Sequence, residues 1–269
     1  MIVNKLIVNF ITPVALFFSN LDYMKIVSQN PNNIFTLTQK NKGIEKLVNE
    51  NDIIFFGEAH SEANDKLKLE VLINNIRNID KEGEIGLGLE MVSSDKQIIL
   101  DEFNDGKINS DILMKKLNWD NEWRYQKESY ELIFNNARSH NMNLIGLNAP
   151  ERLLNIFKDG VKFNKNYIED DNLISFIKTI GEYHNLADKK TISKYYQINL
   201  LWETWMSSEI ENYLRLFPGS KIVVFTGGQH SKYSGIPKIL EKNFPNRFSY
   251  VNITPYIDKD YFGKISTEK

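Results

Sequence analysis

The chain has 269 residues, 42% of them hydrophobic, and a formal net charge of −2, so it can bury one sizeable core. Its 33 basic and 35 acidic residues nearly balance, and no Lys/Arg stripe interleaved with aromatic residues is present, so nucleic acid is not an expected partner. Cysteine is absent, which excludes disulfides, thiolate metal sites, a cysteine nucleophile and a lipidated cysteine anchor. Any metal must therefore be held by histidine and carboxylate.

The N-terminal segment is ambiguous. Lys5 precedes the mostly apolar run LIVNFITPVALFF, which has the length of a signal-peptide core and is too short to span a bilayer. Asn9 and Pro13 interrupt the run, and no small-x-small cleavage site follows Phe18. Periplasmic or other export and cytoplasmic retention both stay open. We assign residues 1–33 to a leader or linker.

Four later segments share one pattern, an apolar β-rich run that stops on a polar or ionisable residue: IIFFGEAH, IGLGLEMV, NLIGLNAP and IVVFTGGQH. Helix-compatible segments separate them, and repeated βα units predict an α/β fold with a mainly parallel sheet, or a mixed one, flanked by helices. Residues 152–217 lack strand signals and predict a smaller helical insertion. Residues 34–269 are therefore expected to form a single domain.

The polar ends of these runs are the candidate functional residues. Parallel strands bring Glu58, His60, Glu90, Asn148 and His230 to the same edge of one sheet. Open α/β folds bind their ligands at that edge. We expect Asn148 to serve in positioning or loop structure and the other four to form a reactive cluster.

Two of the segments, GEAH and GGQH, have the form Gly-x-x-His. Glycine permits a sharp turn and close backbone approach, and imidazole serves as a general base, a metal ligand or a hydrogen-bond donor. Glu58 and His60, two residues apart, point to one side of an extended chain, and Glu90 adds a carboxylate. A carboxylate can fix the tautomer of a histidine, whereas His60, Glu90 and His230 together also suit zinc or manganese. The residue types alone leave both chemistries open.

Residues 111–141 are helical in spacing and rich in aromatic side chains, among them Trp119, Trp123, Tyr125, Tyr130 and Phe134. Core packing explains most of them, and the alternative is a flat aromatic wall for a large planar ligand. A phosphate-binding P-loop, a dinucleotide fingerprint, a serine nucleophile elbow and a His-Glu-x-x-His helix are all missing. Nucleotide hydrolysis, dinucleotide redox chemistry and serine esterase chemistry are therefore not expected.

From about Ile53 to Leu240 the chain resembles the ChaN-like haem-binding proteins, which share a superfamily with TraB and Tiki proteins and the erythromycin esterases. Its anchors, in order, are FFGEAHSEANDKLKLEVL, LGLEMVSSDKQIILDEF, NWDNEWRYQKESYELIFNNARSHNMNLIGLNAP, ETWMSSEIENYL and VVFTGGQHSKYSGIPKIL. Each anchor alone is weak, and the ordered set is fairly specific.

The resemblance implies a helix-flanked parallel or mixed sheet and a role in haem binding for iron acquisition. The family's haem ligand is a tyrosine. Tyr130, within YELIFNNAR, and Tyr233, just after GGQH, are the candidates, although either fits ordinary packing. A homodimer that holds haem between two subunits stays open, as does membrane association, because this chain has no cysteine to lipidate.

The same resemblance carries an alternative. In Tiki-like relatives the paired Gly-x-x-His and acidic positions are linked to metal-dependent proteolysis, and in erythromycin esterases to acid/base hydrolysis. The alternative is a hydrolase in which Glu58 or His60 activates water, directly or through a divalent cation such as zinc or manganese. His230 and Glu90 complete that site.

Overall fold

A seven-stranded sheet forms the centre of the computed structural model, which describes residues 24–27, 34–36, 42–153 and 189–255. The strands are β1 (Met24–Val27), β2 (Ile34–Thr36), β3 (Ile53–Glu58), β4 (Ile85–Ser93), β5 (Asn143–Asn148), β6 (Lys221–Gly227) and β7 (Tyr250–Pro255). Their order is β2-β1-β7-β3-β6-β4-β5. The last five are parallel to one another, whereas β1 is antiparallel to β2 and β7. The predicted α/β fold is confirmed, and the sheet is mixed.

Strand β1 extends the sheet into the part of the chain before residue 34. It pairs Lys25 with Thr36 of β2 on one side and with Thr254 of β7 on the other. Residues 1–33, predicted as a leader or linker, therefore contain one strand of the folded sheet. The other residues of that segment lie outside the described part of the chain.

Helices cover both faces of the sheet. They are α1 (Lys42–Glu50), α2 (Ala63–Ile79), α3 (Gln97–Asn104), α4 (Ser110–Leu117), α5 (Trp119–Glu122), α6 (Lys127–Ser139), α7 (Lys189–Leu216), α8 (Gly228–Ser231) and α9 (Ile236–Asn243). Helix α7 covers residues 189–216 of the predicted insertion at 152–217, and residues 154–188 lie outside the described ranges. No helix in those ranges is long and apolar enough to cross a membrane.

Side chains alternate between two cores because successive residues of a strand point to opposite faces. On β3, Ile54 and Phe56 join the core formed with α1 to α6. Ile53 and Phe55 instead join the core under α7 and α9. The strands thus read as continuous apolar runs, as expected for parallel strands covered on both sides.

Strand β5 lies at the edge of the sheet, and side chains of α3 occupy its outer hydrogen-bonding positions. The Gln97 amide donates to the Leu144 carbonyl at 3.0 Å and accepts from the Gly146 N–H at 2.9 Å. This is the pattern that the N–H and C=O of one residue on another parallel strand would make. Asn104 also accepts from the Leu144 N–H, at 3.3 Å. Two amides therefore take the place of an eighth strand and protect an otherwise open edge.

We expect the double variant Gln97→Ala/Asn104→Ala to self-associate more readily than wild type, because it leaves the outer backbone groups of β5 without these amides. Its unfolding free energy should fall by roughly 1 kcal/mol for each hydrogen bond lost. Light scattering during mild heating measures the first effect and urea denaturation the second. Asn121→Ala, at an exposed amide on α5, is the control, and equal association of both variants would contradict the edge-protection role.

Candidate functional site

Five ionisable side chains form a row across the carboxyl edge of the sheet, in the order Glu58, His60, Glu90, His230 and Glu203, which we call the His/Glu array. The Nδ1 of His60 lies 2.8 Å from Glu58 Oε1, and the Nδ1 of His230 lies 3.0 Å from Glu203 Oε1. Both Nε2 atoms face Glu90 Oε1, at 4.0 Å for His60 and 3.3 Å for His230. The structure thus brings together all four residues predicted as the reactive cluster.

The Glu58 half of the array belongs to the α2 and α6 side of the sheet. Glu58 continues the face of β3 that carries Ile54 and Phe56, and its side chain is fully buried. Its Oε1 also accepts the Tyr130 hydroxyl at 2.7 Å. Its Oε2 forms an ion pair of 2.6 Å with Lys66 of α2. This carboxylate therefore has an imidazole, a phenol and an ammonium group as partners.

The other half comes from α7, on the opposite side of the sheet. Glu203 is buried there, and Asn199, one turn earlier, donates to its Oε1 at 2.8 Å. Sequence reasoning missed Glu203 and Lys66. Each carries a detectable signal, a charged residue inside an apolar helical stripe: Glu203 precedes Met206 and Ile210, and Lys66 precedes Leu69, Ile73 and Ile76. A lone charge at such a position indicates a buried partner.

Glu90 is the ionised centre of the array. Burial by itself would raise the pKa of Glu90, but His230, His60 and the Gly227 N–H stabilise the carboxylate and lower the pKa to about 2. Burial likewise would lower the pKa of His230, but Glu90 and Glu203 outweigh it and raise the pKa to about 10. At neutral pH His230 is therefore an imidazolium between two carboxylates.

His60 is the more accessible histidine, with 25% of its side chain exposed against 10% for His230. Burial lowers its pKa, but the hydrogen bond to Glu58 and the charge of Glu90 outweigh that effect, so the pKa of His60 is raised. Because Nδ1 faces Glu58, the Nε2 atom is the one turned toward the middle of the array. His60 is thus the histidine best placed to meet a ligand.

Two aromatic rings from the segment between α5 and α6 pack on His60. The Trp123 and Tyr125 ring centroids lie 4.8 and 5.1 Å from the imidazole centroid. Tyr125 is 40% exposed, whereas Trp119 and Phe134 are buried in the core. The dense aromatic stretch therefore divides into core residues and a rim beside the array.

The remaining candidates lie in three different settings. Asn148 donates to the Glu90 carbonyl at 2.9 Å and accepts from the Ala149 N–H, so it holds the strand ends. Tyr130 is fully buried beneath Glu58, and burial together with that carboxylate raises its pKa. Tyr233 is 61% exposed and donates to Glu241 at 2.9 Å.

Glycines allow the two Gly-x-x-His loops to touch. A Cβ on Gly57 would lie 2.2 Å from Ser231 Oγ and 2.9 Å from the Gly228 Cα. A Cβ on Gly227 would lie 2.9 Å from His60 Nε2. Glycine is thus required in both loops by close approach to the other.

Metal binding would have to compete with this hydrogen-bonded arrangement. Within the described ranges, no group of three or more His, Asp or Glu residues is arranged to hold a metal ion. His230 would have to lose a proton that Glu90 and Glu203 stabilise before it could act as a ligand. His60, Glu90 and His230, the predicted metal ligands, therefore lie close together, but their arrangement stabilises a protonated His230.

A family model described as haem-binding uptake, Tiki superfamily, ChaN, matches residues 44–240. The chain belongs to this ChaN family. Among solved structures, it is similar to one described as cofacial heme binding to ChaN of Campylobacter jejuni, at 20% identity, with a TM-score of 0.70, covering 87% of this chain and 90% of that one. A more distant likeness is to an erythromycin esterase mutant, at 11% identity and a TM-score of 0.51, covering 86% and 75%. No curated protein matches. At these identities the structural likenesses support the shared fold.

The buried ion pair predicts a specific pH dependence. Because the pKa of His230 is raised to about 10, its stabilisation is complete below about 6.5 and is lost as the pH rises toward 10. The unfolding free energy of wild type should decline over that window by up to about 1.4 kcal/mol per pH unit, as measured by urea denaturation.

The ring protons of His230, followed by NMR, should titrate with the same midpoint. Glu203→Gln should lower that midpoint, because Glu203 is one of the two carboxylates that raise it. A midpoint near 6.5 in wild type, or one unaffected by Glu203→Gln, would contradict the proposed charge state.

Gly57→Ala should lower the unfolding free energy by about 1–3 kcal/mol, because its methyl group would overlap Ser231 and the Gly228 backbone. Gly228→Ala is the matched control in the facing loop, since its Cβ would meet nothing closer than 3.6 Å. Chemical denaturation of both variants tests the inter-loop contact. Equal stability losses would show that the close approach does not constrain Gly57.

Proposed function

We propose that this protein binds haem and acts in haem or iron acquisition. The observation that carries the proposal is the ChaN family match over residues 44–240. The solved relative from Campylobacter jejuni is described as binding haem cofacially. A cofacial arrangement places two haems together, and for this chain we propose a homodimer that holds haem between its two subunits.

The residues present include a suitable iron donor. A phenolate is an established axial ligand of haem iron, so the accessibility of each tyrosine matters. Tyr130 is fully buried with its hydroxyl on Glu58, whereas most of the Tyr233 side chain is exposed. Tyr233 also follows the GGQH segment, which comes directly after β6. We therefore favour Tyr233 over Tyr130 as the haem ligand.

Aromatic side chains at the rim would contact the porphyrin face. Trp123 and Tyr125 pack together with ring centroids 5.5 Å apart, and Tyr125 is partly open to solvent. A described cavity between α2 and α6 has a volume of only about 100 Å³, well below a typical cofactor pocket of roughly 300–1,000 Å³. That cavity is too small for haem, and we propose that haem binds at the surface with a second subunit completing the site.

In this arrangement Tyr233 would hold the iron, and its hydroxyl proton would have to leave. Glu241, which accepts that hydroxyl at 2.9 Å, is the nearest acceptor for the proton. Haem itself supplies an iron centre with an open coordination position when it is bound. The raised pKa of Tyr233, caused by Glu241, means that binding should strengthen as the pH rises.

Haem titration followed at the Soret band tests the proposal. Tyr233→Phe should weaken binding at least tenfold, or about 1.4 kcal/mol, because the iron donor is removed. Tyr130→Phe is the control at the other candidate tyrosine, whose hydroxyl is buried on Glu58, and this variant, His60→Ala and His230→Ala should all keep the Soret change. Absence of a Soret change in wild type would refute haem binding. A Tyr233→Phe variant that binds haem as wild type does would refute Tyr233 as the ligand.

The His/Glu array supports a second candidate function, hydrolysis. Each imidazole has its Nδ1 beside a carboxylate and its Nε2 facing Glu90, which fixes the orientation of the ring as in acid/base sites. We propose His60 as the group that exchanges a proton with water or substrate, with Glu58 orienting it. Glu90 and His230 would provide fixed charges. If a divalent cation such as zinc or manganese takes part, His60, Glu90 and His230 would be its ligands.

Cleavage of an activated ester such as p-nitrophenyl acetate tests this candidate. His60→Ala and Glu90→Gln should reduce the rate by roughly 100-fold or more, while Tyr233→Phe should leave it unchanged. The change in rate on treatment with a chelator, and on addition of zinc or manganese, distinguishes direct hydrolysis from metal-assisted hydrolysis. Equal residual rates in wild type and His60→Ala would exclude the array as a hydrolytic site.

A further inference from the structure

We propose that Lys66 is a positioning residue for the site: its ammonium group holds the loop from Glu58 to Glu62 in the shape that presents His60. Lys66 is only 3% exposed. Besides its ion pair with Glu58, it donates to the His60 carbonyl at 2.6 Å. It also lies 3.3 Å from each of the Ala59 and Glu62 carbonyl oxygens. All four oxygen partners belong to this one loop.

The position of Lys66 on α2 argues against a packing role. It occupies the stripe that continues through Leu69, Ile73 and Ile76, where an apolar side chain would bury itself without cost. A buried ammonium is unfavourable unless charge and hydrogen bonds compensate it. Among the described residues, the compensation comes from the loop and from the Tyr130 ring, whose centroid lies 4.9 Å from Nζ. The buried lysine therefore serves to bind the loop and not to fill the core.

The neighbouring residue completes the attachment. Asp65 Oδ2 accepts the Ala59 N–H at 2.9 Å, so the first turn of α2 binds both the carbonyl groups and an N–H of the loop. His60 itself is oriented by Glu58 at Nδ1 and by its own backbone. Lys66 contacts both of these, so it acts on the imidazole without touching the ring.

The inference rests on the proposed function, because the His60 that Lys66 positions lies beside the rim of Trp123 and Tyr125. The shape of the loop can nevertheless be tested without haem. Lys66→Met keeps the length of the side chain and removes its charge and hydrogen-bond donors. Lys66→Arg keeps the charge and the donors. Ile73→Ala, on the same helix, is the control for loss of stability alone. The readouts are amide hydrogen exchange at residues 59–62 and the ring-proton NMR signals of His60.

Lys66→Met should accelerate exchange at residues 59–62 at least tenfold relative to β3 and β6 and shift the His60 signals. Lys66→Arg should keep loop exchange and the His60 signals close to those of wild type. Ile73→Ala should change neither the relative loop exchange nor the His60 signals. Unchanged loop exchange in Lys66→Met, or an arginine variant no better than the methionine one, would overturn the inference.

If Lys66→Met does not fold, Lys66→Met/Glu58→Gln removes the buried charges together, and its exchange at residues 59–62 is compared with that of Glu58→Gln alone. Haem titration of wild type is a separate arm. Absence of haem binding there would refute the proposed function, while the exchange result would still decide the role of Lys66.

Discussion

A buried carboxylate, that of Glu90, connects the two sides of this protein at the carboxyl edge of its sheet. His60, attached to Glu58 and the α2 side, faces it from one direction, and His230, attached to Glu203 of α7, faces it from the other. A carboxylate without these partners would be costly to bury. The packing of α2 and α7 against opposite faces, the turns of both glycine loops and the charge of His230 all have to be compatible with this centre.

The array and the exposed tyrosine have different physical requirements. Buried acid/base groups need fixed geometry and few waters, which the array obtains from helices on two faces of the sheet. The proposed haem site needs an accessible donor and an aromatic contact, and both Tyr233 and Tyr125 are exposed. The proposed iron donor, Tyr233, and the proposed proton-exchanging group, His60, are therefore different side chains.

Much of this arrangement follows from local sequence. The apolar runs and their polar ends predict the strands, and the shared edge follows from parallel pairing. Glu203 and Lys66 escape this reasoning because their roles depend on helices packing across the sheet, which no short motif encodes. Strand β1 escapes it because its pairing with β7 joins segments far apart in the chain. The charge of His230 depends on distances to two carboxylates from different elements.

The close approach of the two Gly-x-x-His loops has an evolutionary consequence. Gly57 is constrained by Ser231 and Gly228, and Gly227 by His60, so neither motif is a self-contained signature. Together they record one contact between distant parts of the chain. In relatives where one loop gains a side chain, we expect a compensating change in the other, and the two motifs should be inherited as a pair.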